Sequence, residues 1–303
     1  MTVGRAVGVL REIHRHPVKS MGGETIEESV VEKRYGVVGD RAWAIRDIEA
    51  GEIRGAKKIP ALMMLRARYV APPQSPGSAP IAIDLGGGLW IRSDDPMVSV
   101  RISERLGRPV VLESRPPASD RAHYRRARPI VDQDAEVREA YELLPDEPTP
   151  TFADAPVDFS ALAEYVSPPG TYFDFFDLHL ISRQSMASFA AAVPDSKIEA
   201  RRFRANFVVD LDFADALPTA EPGSAWPEQE RLGRTLAIGD ARFEVTMPMA
   251  RCGMTTHAQP DLAKDPRIMR ALYKVCSLNL GVALTVLRPG RVRVGDAIRL
   301  ADG

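Results

Sequence analysis

Hard stops set the range of folds open to this chain. Along its 303 residues, short strand-like runs are cut off by glycine, proline or aspartate. Alternation of apolar and polar side chains with period two marks an extended strand with one face turned inward. Glycine ends such runs because it tolerates positive φ, and proline because it has no N–H to give a ladder. Strand-like runs fall at 3–13, 25–31, 81–85, 89–91, 110–112, 207–209, 241–246, 278–287, 291–294 and 297–300. Helical periodicity is found at 98–106, 134–144, 186–193 and 261–275. The pattern predicts an α+β, β-rich protein: two β-rich units with helices outside and a cleft between them. A Pro-, Asp- and Ala-rich stretch at 145–169 is the expected junction.

Composition narrows the function classes. The formal net charge is −1, which gives no global field for nucleic acid or an anionic membrane. Two cysteines do not build a disulfide framework, and they fit a reducing cytoplasm. The first 20 residues carry Arg5, Arg11 and Arg15 without a long apolar run, so neither a signal peptide nor a membrane anchor is expected there. Later segments also fall short of the length of a membrane span.

Cys252 is the candidate reactive group. It follows the run 241–246, which Pro248 is expected to end, and it precedes Gly253, which permits a tight turn. Arg251 beside it favours the thiolate, the form that attacks electrophiles and binds metals. The residues alone leave a second reading open, a small buried thiol packed as an apolar side chain. Cys276, after a helical pattern in apolar sequence, reads as core.

Three other places carry anion-binding chemistry. Lys19 and Ser20 lie in a loop with Gly22 and Gly23, either a backbone cradle for an anion or an ordinary turn. Asp40 and Arg41 end a glycine-bounded turn, as part of a site or as a structural ion pair. Arg201, Arg202, Arg204 and Asn206 precede the run 207–209, where guanidinium forks match phosphate and a charged strand edge is the plainer reading. The stretch 114–129, with Arg115, Arg121, Arg125, Arg126 and Arg128, reads as a solvated loop or as a flap over substrate.

Together these residues resemble one family over almost the whole chain. The N-terminal match is His16, Pro17, Val18, Lys19 and Ser20, followed by Gly36, Gly39, Asp40 and Arg41. The C-terminal match is Arg202, Phe203, Arg204, Ala205 and Asn206, then Arg251, Cys252, Met254, Thr255 and Thr256, then Pro289, Gly290, Val294, Gly295 and Asp296. In this order they resemble proteins with a MOSC domain, named for the C-terminal part of molybdenum cofactor sulfurase, preceded by its N-terminal β-barrel domain. The mitochondrial amidoxime-reducing component and its bacterial relatives are the group it is similar to.

The resemblance implies an N-terminal MOSC-associated β-barrel domain at 1–120, a linker and helical connection at 121–160, and a MOSC β-barrel domain with peripheral helices at 161–303. It implies a molybdenum–pterin cofactor (Mo-molybdopterin) between the domains, with Cys252 as metal ligand and catalytic thiolate. A soft thiolate suits such a metal. The same resemblance places Lys19, Ser20, Arg41, Ser182, Arg204, Asn206 and Arg251 at the cofactor. The implied activity is reduction of an N-hydroxylated or related N-oxygenated small molecule. Electrons would come from a separate electron-transfer protein, since some relatives append a four-cysteine iron–sulfur domain and this chain has no such cysteines. Two other readings stand beside it: a carrier of the cofactor or its sulfur, and a specialised biosynthetic enzyme that cleaves a C–S or N–O bond. The chain departs from the amidoxime reducers at Ala205, Ala250, Lys57, Lys58 and the strip 256–260, which the resemblance puts beside the metal.

Overall fold

A computed structural model describes residues 4–150, 161–212 and 226–300. The 151–160 part of the expected connection therefore lies outside the described residues. The β-rich expectation holds, as a closed barrel with small sheets around it. Seven strands close in the order Phe207–Leu211, Leu178–Ser182, Asn279–Arg288, Ala241–Ala250, Thr235–Ile238, Ala297–Leu300 and Ala6–Arg15, and the last pairs back with the first. Only Leu178–Ser182 and Phe207–Leu211 run parallel. Closure removes the unpaired edges of an open sheet. The inward positions, among them Leu10, Leu180, Phe207, Phe243, Val282 and Leu284, fill the interior. The barrel is thus a packed core rather than a ligand cavity, and chemistry must sit outside it.

Ala6–Arg15 closes a barrel otherwise built from residues 178–300. A second core, with Val18, Met21, Ile45, Leu62, Ile83 and Leu112, lies among the small sheets of the N-terminal part. There Trp43–Asp47 pairs with Val110–Ser114 and Glu52–Arg54, and Ile81–Asp84 with Arg66–Tyr69 and Trp90–Arg92. Glu28–Glu32 pairs with Gly290–Arg293, a ladder that joins the two halves of the chain. Helix Arg267–Cys276 buries Ile268, Met269, Ala271 and Leu272, an i, i+3, i+4 stripe, against the outer barrel face at Ile181 and Val208.

Four local expectations change. The strand Ala241–Ala250 runs through Pro248, and register shifts on either side accommodate a residue with no N–H. The helix expected at 261–275 begins at Arg267, because Asp261 is left-handed and the Asp265 carboxylate accepts the Arg267 N–H at 3.1 Å. The run at 25–31 splits into Glu24–Ile26 and Glu28–Glu32. The arginines of 114–129 are largely engaged by the protein. Arg115 is buried over the Tyr35 ring, Arg121 bonds the Tyr165 hydroxyl at 2.8 Å, and Arg125 pairs with Glu164. Among the described residues, no helix is long and apolar enough to cross a membrane.

Candidate functional site

The strand Ala241–Ala250 delivers Arg251 and Cys252 to its end, and the 3-10 turn Gly253–Thr256 follows at once. The Cys252 carbonyl accepts from both the N–H and the hydroxyl of Thr255, each at 3.1 Å. A Cβ at position 253 would stand 2.8 Å from the Glu142 side chain, so any larger residue there must displace Glu142. The Cys252 side chain is half-buried against Ala56, Met63 and Met254. Lys57, Arg251 and Tyr141 all lie within electrostatic reach of it.

Arg202 holds this turn from below. Its Nη1 donates to the carbonyls of Thr255 (3.2 Å) and His257 (3.3 Å), its Nη2 to Ala263 (3.0 Å) and its Nε to Lys197 (2.9 Å). The phosphate-binding expectation does not hold for Arg202, since its nitrogens are occupied by backbone carbonyls. Arg201 likewise turns to Glu199 and the Pro260 carbonyl.

The remaining cations converge. Lys19 Nζ donates to Asp174 Oδ1 (2.5 Å), the Tyr172 carbonyl (2.9 Å) and Ser167 Oγ (3.3 Å). Lys57 approaches the other Asp174 oxygen at 3.8 Å. Arg41 pairs with Asp40 and lies over the Phe173 ring. Asp40, fully buried, also accepts the His16 N–H (2.6 Å) and Asn206 Nδ2 (2.9 Å). Arg204 donates from Nη1 to the Met21 carbonyl at 2.5 Å, and Arg251 Nη2 to that of Phe203. Lys19, Lys57, Arg41, Arg204 and Arg251 thus share one electrostatic neighbourhood, in which Asp40 and Asp174 are the carboxylates bonded to them among the described residues and Glu136 acts on Lys57 at longer range.

The cluster shows the signs of an incomplete charge balance. Arg204 Nη2 and Arg251 Nε are buried and have no hydrogen-bond partner among the described residues. Burial, reinforced by Arg41, draws the Arg204 guanidinium down to about 9. Burial also lowers Lys19, with Asp174 opposing it. Burial alone would raise Asp174, yet the Lys19 and Lys57 ammoniums outweigh it and hold that carboxyl well below the usual range. Ser20, Arg41 and Arg204 all have left-handed backbone (φ 68, 48 and 53). Residues with a Cβ keep such conformations only where their surroundings over-determine them, often at functional sites.

The family is decided by the match of two long stretches of the sequence to known domain patterns. The MOSC domain pattern matches residues 171–299, and that of the MOSC N-terminal beta barrel domain matches residues 7–88. The chain belongs to the MOSC domain family. MOSC domains are associated with molybdenum cofactor binding. No curated protein matches the chain. Among solved structures, it is similar to YiiM from Geobacillus stearothermophilus, at 17% identity and a TM-score of 0.29, over 42% of this chain and 55% of that one. The YuaD protein from Bacillus subtilis is 18% identical with a TM-score of 0.31, over 42% of this chain and 65% of that one. The chain spans less than two thirds of either protein.

Within this MOSC protein, Lys19, Arg41, Arg204, Arg251 and Cys252 are brought together, although residues 19 and 252 lie far apart in sequence. Ser20 borders them, its Oγ accepting the Ala56 N–H at 2.9 Å. The Asn206 amide is engaged within the protein, taking the His179 N–H on Oδ1 and donating to His14 and Asp40. Ser182 lies elsewhere in bonding terms. It caps helix Arg183–Ala192 through Ser185 and donates to the buried Glu228 at 2.7 Å. Residues missed from the sequence are Asp174, Tyr141, Glu142 and His179, whose neutral ring lies 3.2 Å from Arg251 Nη1. None sits in a motif; only the position of Asp174 in the aromatic-rich run before 178 offered a signal.

Proposed function

We propose that this MOSC protein holds a molybdenum–pterin cofactor on the cation cluster and reduces an N-oxygenated small molecule there, with electrons from a separate protein in the cytoplasm. The observation that carries the reading is the pair of buried, partnerless guanidinium nitrogens, Arg204 Nη2 and Arg251 Nε, beside a half-buried thiol. A buried donor left unpaired costs about 1–3 kcal/mol, a cost that an anionic oxygen would relieve. The donor set suits the group: Lys19, Lys57, Arg41, Arg204 and Arg251 for phosphate, and Cys252 for the metal. The cofactor, when bound, supplies the two-electron redox chemistry.

The chain's own residues supply the setting. Arg251 and Lys57 place positive charge near Cys252, which suits a sulfur that would hold the metal. Met63, Met254 and Ala56 shield one side of the sulfur from water. Asp174 is half-exposed, so water can take over its oxygens when Lys19 turns from it to an anionic ligand oxygen.

The test is metal analysis and reductase assay of protein made in a host that synthesises the pterin. Cys252→Ser should lose reduction of an N-hydroxylated compound, because a hydroxyl is a harder and more basic donor than a thiol. Lys19→Ala and Arg204→Ala should each lower cofactor occupancy. Full activity in Cys252→Ser refutes the mechanism. Sulfur transfer without net reduction would favour the carrier reading.

A further inference from the structure

We infer that the pocket beside Cys252 is a subsite for a protonated nitrogen group of the substrate, recognised by Glu142 and His257. The inference deepens the reading above and depends on it for the reaction, though not for the binding itself. The pocket borders the Cys252 turn: Gly253, Met254, His257 and Glu142 line it together with Lys57 and Lys58.

The charges lining it are paired except for one. Lys58 is taken by Glu139 (2.6 Å) and Glu136 (3.6 Å), and Lys57 by Asp174 (3.8 Å). Among the described residues, no lysine or arginine forms an ion pair with Glu142. Its carboxylate has the Thr256 hydroxyl at 3.2 and 3.3 Å, but that hydroxyl lies closer to the Gly253 carbonyl, at 2.8 Å. One hydroxyl proton cannot serve both acceptors fully, so Glu142 is left as an under-used anion in the pocket wall.

His257 points the same way. It is 8% exposed, and its Nε2 is buried with no hydrogen-bond partner. Burial lowers its pKa, so the ring is neutral and one nitrogen can accept. Glu142 lies within electrostatic reach of it. The backbone aims the carboxylate: Glu142 is left-handed (φ 48), with its N–H on the Glu139 carbonyl and its own carbonyl held by Arg270. A group carrying positive charge and two N–H donors satisfies both acceptors at once, whereas a second carboxylate or phosphate would meet Glu142 with like charge.

The test is calorimetry on the full chain with methylguanidinium and with its neutral isostere methylurea, run with and without cofactor. Wild-type protein should prefer the cation by about tenfold or more, the range set by a charge-assisted hydrogen bond. Glu142→Gln should erase that preference, Glu142→Asp should keep part of it, and His257→Phe should weaken cation binding. Circular dichroism checks that each variant folds. In the reductase assay Glu142→Gln should raise KM for a cationic N-hydroxylated substrate more than for a neutral one, with molybdenum content unchanged. Equal affinity for the two probes, or a preference that survives Glu142→Gln, overturns the inference. Probe binding needs no metal, so the two readings fail separately: protein from a pterin-synthesising host that takes up no molybdenum yet still prefers the cation would count against the proposed reaction and leave this subsite standing.

Discussion

Replacing Arg202 with methionine should loosen the Cys252 turn from the barrel flank. Four carbonyls, those of Lys197, Thr255, His257 and Ala263, now share one guanidinium that is 2% exposed. A net hydrogen bond to a charged group contributes about 1.5–3 kcal/mol. The four are not additive, and burying the cation has its own cost, visible as the lowered Arg202 pKa. A loss of about 3–5 kcal/mol remains, equivalent to two such bonds and within the range for broken buried polar networks. Methionine keeps much of the alkyl volume, so the change reports the polar loss rather than a cavity. Urea unfolding followed by tryptophan fluorescence should show a lower midpoint at unchanged slope. Arg201→Met is the control. That side chain is 38% exposed and pairs with Glu199, so its removal should cost under about 1 kcal/mol. Indistinguishable midpoints for the two variants would show that Arg202 does not clamp the turn.

The two thiols should part company under iodoacetamide at mildly alkaline pH. Half-buried Cys252 should alkylate, while Cys276, pushed up to about 12 by burial and donating to the Leu272 carbonyl at 3.2 Å, should be spared; peptide mass spectrometry that finds both labelled in the native chain would contradict this. Stability should fall as pH drops from 6.5 towards about 3. Burial, with help from Arg204, lowers folded His16 to about 3 from 6.5, so in that window the unfolded state binds the extra proton. His179 shifts the same way. Urea midpoints across the window should decline, and His16→Asn should flatten the decline; a flat profile in the parent protein would remove the basis for both assignments.

The barrel strands are legible because alternation and stops are local properties of a sequence. Ala297–Leu300 and the core of Ala241–Ala250 can be read that way. Which strands pair is a long-range property, and nothing around Leu10 announces that it will sit opposite Val209. Arg202 and Arg204 show the same limit within three residues. Both read as phosphate ligands, yet the short helix Ala200–Phe203 and the left-handed residue after it turn them to different partners, one to the Thr255 loop and one to the cation cluster. Resemblance grouped Lys19, Arg41, Arg204, Arg251 and Cys252, which periodicity alone could not. Ser182 was grouped with them too, where the fold uses its hydroxyl as a helix cap and a donor to Glu228. Asp174 and Glu142 escaped because a lone carboxylate in a loop has no pattern; its meaning comes from the charges that surround it.

Barrel closure also sets a timetable. A ribosome makes Ala6–Arg15 about 280 residues before Ala297–Leu300, yet these strands are neighbours. At about 5–20 residues per second, the early strand waits roughly 15–60 s before its second neighbour exists. During that interval the edge that Ala297–Leu300 will cover is open to wrong pairings, and the charges of Arg11, Glu12 and Arg15 are the kind that discourage them. Lys19 follows this strand directly and Arg41 precedes Trp43–Asp47, whereas Cys252 emerges more than two hundred residues later. The cation cluster is therefore complete only once Arg251 and Cys252 have been made, and an anion held by all of its members binds after that point.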